Sequence, residues 1–375
     1  MHRGLWLTVS IVAGLVMGCS KPAPQWPSGA VGPVWRYELA NPGQDLAMWR
    51  GRLVVLRRAG GRGPLMSLHD PSSGRIVGSL GQQGVGPSDV VSPFALTVDS
   101  VTGRLWVLDL MRRRWTSFED AGDGPVTRQV IQFADPNTVL DAVWWHRSIV
   151  ASGFYRRGQF ALFDSTGTLK GYVGHPLQLN PEEELEVAYH LNRARVGVTS
   201  DSLIVLARFL RPQLEFYNLS GHRLYGTGNV ASTDNDVEAV EDVSGRIHAV
   251  PTEYTRYAYV DLTIDSSHVV ALYSGRSESA DGPGAVHGEQ IRVFSRHGVF
   301  ERSVLVGTDL DAIQVDESRG LLYGVGPSNR GDEHGVLYAF PLREILDRRQ
   351  SDTLPTRMSG RQPKQWPTAA SSSRN

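Results

Sequence analysis

Residues 93–118 read PFALTVDSVTGRLWVLDLMRRRWTSF and contain the clearest copy of a pattern that recurs along the chain. Apolar residues recur in two short runs, at 96–98 and 105–108, and the segment between them contains the Asp, Ser and Gly that tight turns favour. This pattern predicts a β-hairpin. A basic loop at 110–114 leads into a third run at 115–118, which ends in a second turn. If this unit is repeated along the chain, it determines the architecture.

The unit does recur along the chain. The third run closes on an aromatic residue four positions before a glycine in four places: Phe118 and Gly122, Phe163 and Gly167, Tyr217 and Gly221, and Phe294 and Gly298. Hairpins with acidic or serine-rich turns precede the third runs in six units. A fourth run follows the third run in five of these units, and the exception is the last unit, whose third run closes on Phe340. The strand missing from the last unit can come from residues 34–39, VWRYEL, near the other end of the chain.

The repeats predict an all-β fold, a six-bladed β-propeller of four-stranded antiparallel blades closed by an N-terminal outer strand in the last blade. The domain would span residues 34–347. A protein of two β-sandwich domains is the alternative, but it does not explain the recurring order of hairpin, third strand, turn and fourth strand. Short helices are predicted at 180–191 and 342–347, and the polar residues 348–375 are predicted to be a disordered tail.

The N-terminus has the pattern of a lipoprotein signal peptide. A basic start precedes an apolar stretch at 4–18, which ends in Val16-Met17-Gly18-Cys19, a sequence that resembles the bacterial lipobox. Cys19 is the single cysteine of the chain, so an intramolecular disulfide is impossible. We therefore predict a signal peptide at 1–18, lipidation of Cys19, and a proline-rich tether at 19–33. An incidental cysteine behind an ordinary signal is the alternative.

These features predict an exported protein anchored to a bacterial membrane, either on the periplasmic side of the outer membrane or at the cell surface. The formal charge of −1, from 38 basic and 39 acidic residues, gives no support to binding of nucleic acid through the whole molecule. The chain lacks an H-x-x-x-H pair, a G-x-S-x-G elbow and a P-loop. We therefore predict no catalytic residue from these motifs. We also expect the protein to be a monomer.

Residues 81–118 and 257–342 carry a resemblance to a known family. The glycine-rich segment 81–87 ahead of a blade, with Arg114 at the start of a third strand, resembles the NHL repeat. The order of YVDLTIDSSHVVALYSG, EQIRVFSRHG and DAIQVDESRGLLYGV is similar to that of TolB-like six-bladed propellers of bacterial lipoproteins. The resemblance implies the fold and an envelope location. It implies little about function, because propellers of this kind are mostly scaffolds.

Arginines recur in the loops between second and third strands, on the face where propellers commonly bind. An arginine-lined mouth would suit a carboxylate, a phosphate, a sugar acid or an acidic protein surface. The alternative is that these arginines brace neighbouring blades or are solvated, and we assign Arg114 to such a structural role. The candidate ligand-binding residues are Arg58, Arg112, Arg113, Arg156, Arg157, Arg208, Arg211 and Arg276.

Acidic residues stand near the starts of several inner strands, at Asp45, Asp141, Asp261, Asp309 and Asp311. Carboxylates that converge on a channel could hold Ca²⁺, as in lactonase-type propellers, although the spacing does not define a metal site. Residues 234–238, DNDVE, begin like a calcium loop but have Ala239 where that loop needs Gly, so we expect an exposed acidic loop.

The function predicted from the sequence is a non-catalytic binding scaffold, anchored by lipid, for an envelope protein or an anionic small ligand, and without a cofactor. The alternative is a propeller hydrolase or lyase, similar to the lactonases, with calcium in the central channel. The two differ in whether inward-facing polar side chains of different blades converge on one point.

Overall fold

The computed structural model describes residues 29–347, except 61–62, 121–124, 136–138, 156, 176–190, 228–236, 242–246 and 329–330. Six antiparallel sheets of four strands each form the blades of a β-propeller, as the sequence predicts. The innermost strand of each blade contacts the innermost strands of the two neighbouring blades, so these six strands surround a central channel. No helix in the described part of the chain is long and apolar enough to cross a membrane.

The first three blades follow one another along the chain, and their strands are given from the channel outward. Blade one contains β2–β5, Gly43–Trp49, Arg52–Arg57, Pro64–His69 and Ile76–Gln82. Blade two contains β6–β9, Pro93–Val98, Leu105–Asp109, Arg114–Asp120 and Pro125–Gln132. Blade three contains β10–β13, Val139–Trp145, Ser148–Gly153, Phe160–Asp164 and Leu169–Val173.

The remaining blades have the same order. Blade four contains β14–β17, Ala194–Val198, Ile204–Arg208, Leu214–Tyr217 and Arg223–Gly226. Blade five contains β20–β23, Tyr259–Ile264, His268–Tyr273, Gly288–Ser295 and Phe300–Leu310. Blade six contains β24–β26 and β1, Ala312–Asp316, Leu321–Ser328, Gly331–Pro341 and Trp35–Leu39.

Helical structure is short and lies outside the blades. An α-helix at Glu278–Asp281 and a 3₁₀-helix at Gly282–Val286 occupy the loop between the second and third strands of blade five. The predicted helix after the last strand is present at Leu342–Asp347, with Leu342 and Ile345 buried. Most of the helix predicted at 180–191 lies outside the described residues.

The N-terminal strand β1 closes the ring, as predicted. It pairs with β26 in antiparallel register, from Trp35 opposite Ala339 to Leu39 opposite Gly335. The Trp35 ring packs against Gly74 of blade one. Blade six is therefore built from both ends of the domain, and its outer strand also contacts the first blade.

The described end of the expected tether is packed rather than free. Val31 is 1% exposed and belongs to the same buried cluster as Val304 and Val306. Its backbone N–H donates to the carbonyl oxygen of Leu305 at 2.8 Å. An apolar side chain beside the outer strand of blade five gains from burial, so the packed domain begins before residue 34. Cys19, the predicted signal peptide and the predicted tail lie outside the described residues.

A two-stranded hairpin lies between blades four and five, where we expected an acidic loop. It consists of β18, Val237–Glu241, and β19, Ile247–Pro251. The expectation of a loop at 234–238 is thus corrected for its last two residues, and 234–236 lie outside the described residues. Residues 237–241 read VEAVE, which lacks the strict apolar-polar alternation typical of a half-buried strand, so the sequence pattern does not predict this strand. Val240 and Val250, on one face of the hairpin, are both exposed.

The hydrophobic core lies between neighbouring blades. Between blades two and three, Trp106, Trp115 and Trp144 pack with ring centroids 5.2–5.8 Å apart. Trp106 and Trp115 are each 1% exposed. Large apolar side chains buried in this way each contribute about 1.5–3 kcal/mol. These apolar blade faces are therefore explained by packing.

Candidate functional site

Charged residues occupy one position of the inner strands in four of the six blades. In blade one the position is that of Asp45, which directly precedes Leu46, the residue paired with Val55 of the second strand. The other five blades have an equivalent position in the register of their first two strands. We call the six residues at this level the channel ring, and in blade order they are Asp45, Ala95, Asp141, Arg195, Asp261 and Ala312.

The three aspartates of the channel ring stand in blades one, three and five, and each accepts a hydrogen bond from the next blade. The Oδ2 atom of Asp45 accepts from the backbone N–H of Leu96 at 2.6 Å, and its Oδ1 accepts from Leu46 N–H at 2.8 Å. The bonds to the next blade recur as Val196 N–H to Asp141 at 2.9 Å and Ile313 N–H to Asp261 at 2.7 Å. Each aspartate therefore links two blades and also presents a carboxyl group at the channel.

Arg195 is the cation of the channel ring. Its Nε donates to the carbonyl oxygen of Val260 at 2.9 Å and lies 3.5 Å from Oδ1 of Asp261. Its position in blade four is flanked by Asp141 in blade three and Asp261 in blade five. Asp45, in blade one, is on the opposite side of the six-membered ring. Among the described residues, Nη1 and Nη2 of Arg195 have no hydrogen-bond partner.

Burial and mutual repulsion raise the carboxyl pKa values of the ring. Burial, followed by the charge of Asp261, raises the pKa of Asp45 to about 8, against the opposing effect of Arg195. Burial raises the pKa of Asp261 to about 6, against the opposing effect of Arg195. The pKa of Asp141 is also raised by burial. Burial alone would lower the pKa of Arg195, but the nearby carboxylates raise it above its usual value.

The four charged residues of the channel ring line a cavity of about 290 Å³ to which all six inner strands contribute. Its other polar residues are Thr97, Thr263 and Gln314. The apolar lining comes from residues that follow the ring positions along the inner strands, and it includes Leu46, Met48, Leu96, Val98, Val143, Val198, Leu262 and Ile264. The cavity is thus polar at the ring and apolar along the strands, which is a common pattern for a small-molecule site.

The expected convergence of carboxylates is found for three of the five aspartates. Asp45, Asp141 and Asp261 line the cavity, whereas Asp309 and Asp311 are not among its lining residues. Within the described part of the chain, no group of three His, Cys, Asp or Glu side chains is arranged to hold a metal ion. The positive charge placed among these aspartates is that of Arg195.

Asp309 and Asp311 take part in ion pairs on the face where the inner strands begin. Oδ1 of Asp311 lies 2.7 Å from Nδ1 of His287 and 3.3 Å from Nη2 of Arg58. The hydrogen bond to Asp311 raises the pKa of His287 above its usual value. Asp309 pairs with Arg276 at 2.6 Å, and the other end of that guanidinium lies 3.0 Å from Glu289.

The predicted ligand-binding arginines do not line the cavity, as far as they are described. Arg112 donates to the backbone carbonyls of Val85 and Gly86, and Arg276 pairs with Asp309 and Glu289 as above. Arg208 is 1% exposed and donates through Nε to Glu215 at 2.7 Å and through Nη1 to the carbonyl of Asn192 at 2.9 Å.

The remaining members of the arginine set lie elsewhere on this face. Arg58 is exposed apart from its pair with Asp311, Arg113 and Arg157 are exposed, and Arg211 is half-buried. Arg156 lies outside the described residues. Anion binding by the set stays a prediction, and the structure gives internal partners to Arg112, Arg208 and Arg276.

Arg195 is a charged residue of the candidate site that the sequence analysis does not predict. The cations predicted from the sequence lie in loops, whereas Arg195 lies within an inner strand. The signal was present in the aligned inner strands, in which Arg195 takes the position held by Asp45, Asp141 and Asp261.

Comparison with known proteins supports the fold and nothing finer. No protein-family model matches the chain, and no curated protein matches its sequence. The RRP9 WD40 repeats superimpose with a TM-score of 0.51 at 9% identity, over 83% of this chain and 99% of that one. The Neurospora crassa Pan2 WD40 domain superimposes with a TM-score of 0.46 at 9% identity, over 85% of this chain and 98% of that one. A streptogramin B lyase superimposes with a TM-score of 0.45 at 13% identity, over 81% of this chain and 98% of that one. The chain is a six-bladed β-propeller.

Proposed function

We propose that this propeller is a non-catalytic binding protein whose central cavity holds a small polar ligand, and that it is exported and anchored by lipid at Cys19. The observation that carries the binding proposal is the convergence of Asp45, Asp141, Asp261 and Arg195 on one cavity. Side chains from four blades meet there, although packing of the blades alone would be satisfied by apolar residues. A buried polar cluster open to a cavity is the usual form of a specific binding site.

The lining chemistry favours binding over nucleophilic catalysis. The described lining residues include no serine, cysteine, histidine or lysine. Thr97 and Thr263 carry the hydroxyl groups, and no histidine stands beside them to act as a base. The walls are strands of a rigid ring, so the ligand would enter a largely preformed site.

A cavity-filling substitution tests the proposal. Thr97→Phe would place a ring in the cavity, and Thr166→Phe, on an exposed turn of blade three, is the control. Melting temperatures are measured for both variants and the wild type with a panel of small amines, sugars and carboxylates. We expect at least one class of compound to stabilise the wild type and Thr166→Phe but not Thr97→Phe. Equal responses in all three proteins, or none, would refute binding in the cavity.

A propeller hydrolase or lyase is the second candidate, and one observation favours it. A carboxyl group whose pKa is about 8 is protonated at neutral pH and can serve as a general acid. If the cavity catalyses a reaction, a compound that stabilises the wild type will be chemically converted during prolonged incubation, and Asp45→Asn will abolish the conversion. Recovery of unchanged compound would support the binding protein. Calcium in such an enzyme stays a prediction.

The proposed envelope location rests on the sequence of residues 1–19 and on the resemblance to propeller lipoproteins. The twelve-residue step from Cys19 to the packed Val31 can span at most about 40 Å. A lipid at Cys19 would thus hold the propeller close to the membrane surface, where an envelope protein or a periplasmic solute could reach it.

A further inference from the structure

We propose that the central cavity binds a primary ammonium group beside Asp45, in a ligand that also carries an uncharged oxygen acceptor for Arg195. The inference rests on the proposed function, because it names the ligand class of the same cavity. Positive charge is distributed unequally around the channel ring, with Arg195 beside Asp261 and away from Asp45.

The channel ring contains three carboxyl groups and one guanidinium group. Arg195 lies 3.5 Å from Asp261 and is flanked on its other side by Asp141 of blade three. Asp45 stands across the ring in blade one, and among the described residues no cationic side chain forms an ion pair with it. Its two oxygens accept one backbone hydrogen bond each, at 2.8 Å and 2.6 Å, and a carboxylate can accept about four. Asp45 thus retains acceptor capacity toward the cavity.

Burial makes an unpaired charge at Asp45 unfavourable. Asp45 is 7% exposed, so its carboxyl group is stable either in the protonated, neutral form or as a carboxylate beside a cation. Because its pKa is raised, Asp45 is protonated and neutral at neutral pH in the free protein. A bound ammonium group would stabilise the ionised carboxylate instead, and the proton of Asp45 would be released on binding.

Arg195 supplies an independent indication of a ligand. Its Nη1 and Nη2 have no hydrogen-bond partner among the described residues, and neither is a buried unsatisfied atom, so both are accessible from the cavity. They can donate to a ligand oxygen. Because Asp141 and Asp261 flank the guanidinium, an anionic ligand group would be repelled there, whereas a hydroxyl or carbonyl oxygen would not.

The remaining lining distinguishes an organic amine from a metal ion. Leu46, Met48 and Leu262 offer contacts to a carbon skeleton. A hard cation requires several oxygen ligands, and no suitable group of three acidic or histidine side chains occurs in the described residues. The ammonium group could belong to a free amine or to a lysine side chain of a partner protein.

Matched probes of different charge test the inference by titration calorimetry on the mature chain. Glucosamine, glucose and glucuronate share a ring and differ in charge, and acetyl-Gly-Lys-Gly-amide represents a lysine on a protein. We expect one of the two amines to bind at least tenfold more tightly than glucose, and glucuronate to bind most weakly. Tighter binding of glucosamine would identify a free amine as the ligand type, and tighter binding of the peptide a partner's lysine.

Two further readouts connect the affinity to Asp45. Asp45→Asn should weaken amine binding about tenfold or more and leave glucose binding unchanged, whereas Asp99→Asn, a buried aspartate at the other end of inner strand β6, should change neither. At pH 7, titrations in two buffers of different ionisation enthalpy should show release of about one proton on amine binding. The wild-type charge series needs no variant, so it decides the question even if Asp45→Asn fails to fold.

No binding of either amine, or binding of neither amine more tightly than glucose, would overturn the inference. Binding of glucose or glucuronate that is at least as tight as that of both amines, and is lost in Thr97→Phe, would overturn it while leaving the proposed cavity function intact. Absence of any compound whose effect depends on Thr97 would instead refute the proposed function itself.

Discussion

At the scale of single residues, the chemistry of this propeller is set by what the blades place next to each charge. Asp45 and Asp316 are both nearly buried aspartates of inner strands, yet burial beside two other aspartates raises the pKa of Asp45, whereas hydrogen bonds from Ser318 and Arg319 lower that of Asp316. The residue type alone predicts neither outcome. Asp316 ends its strand and its partners lie two and three positions along the chain, whereas the environment of Asp45 depends on which side chains of other blades meet at the channel.

The raised pKa of Asp45 predicts how stability depends on pH. Because the pKa rises from 3.8 to about 8 on folding, the native state binds a proton that the unfolded state releases between these values. The stabilisation is complete below the lower value and is lost as the pH rises through the higher one. The free energy of unfolding should fall between pH 5 and pH 8, and this fall should be shallower in Asp45→Asn, by up to about 1.4 kcal/mol per pH unit.

Urea unfolding at several pH values measures this difference. Arg195, Asp141 and Asp261 surround the same channel and remain in both proteins, so the difference between wild type and variant isolates Asp45. Parallel profiles for the two proteins would contradict the assignment.

Arg208, the fully buried arginine of blade four, should stabilise the fold through its ion pair with Glu215. Glu215→Gln removes the carboxylate that pairs with Arg208 in the interior, and an unpaired buried charge should cost about 3 kcal/mol in the free energy of unfolding. Arg58→Ala breaks the pair with Asp311, in which the Arg58 side chain is 47% exposed, and should cost under about 1 kcal/mol. Chemical denaturation measures the free energy of unfolding of both variants. Equal decreases relative to the wild type would show that burial does not distinguish Arg208 from Arg58.

At the scale of elements, the repeated blade was predictable because its signals are local. Each hairpin, third strand and turn is marked by residues within a few positions of one another, such as Phe163 and Gly167. Three features were not predictable in this way. Arg195 acquires its meaning only when inner strands are aligned, Val31 is buried by a strand far away in sequence, and the hairpin of β18 and β19 is not part of the repeat.

The contact of β1 with blade one gives an element-scale prediction. Gly74 has φ = 70°, and a Cβ added to it would lie 2.5 Å from the Trp35 ring. Gly103 has φ = 67° with nothing within 4 Å of such a Cβ. Gly103→Ala should cost about 1 kcal/mol from backbone strain, and Gly74→Ala should cost a further 1–3 kcal/mol, roughly, because the closing strand must shift. If both variants unfold alike, the packing of β1 against Gly74 is not as described.

At the scale of the whole molecule, the ring of blades explains why the cavity is at the centre. Closure by β1 leaves the six inner strands side by side, so one residue from each is presented to a common space. The position of the site could be predicted from the fold class, since propellers bind at their channels. The chemistry of the site could not, because it depends on which residue each of the six strands places at the same level.

The predicted anchor also belongs to this scale. Cys19→Ser should move the protein from the membrane fraction to the soluble fraction and abolish incorporation of labelled palmitate in cells. The free energy of unfolding of the purified protein should be unchanged, because the substitution changes one side-chain atom and leaves Val31 and the rest of its buried cluster in place. A variant that stays in the membrane fraction would contradict lipidation at this cysteine.

Carboxyl-carbon NMR can show whether Asp45 binds a cationic ligand in the channel. The ¹³C signal that disappears in Asp45→Asn is followed through a pH titration, with and without saturating glucosamine. We predict a titration near pH 8 in the free protein, as burial and the neighbouring aspartates require, and a clearly lower midpoint when the amine is bound. A midpoint near 4 that does not respond to the amine would contradict the claim.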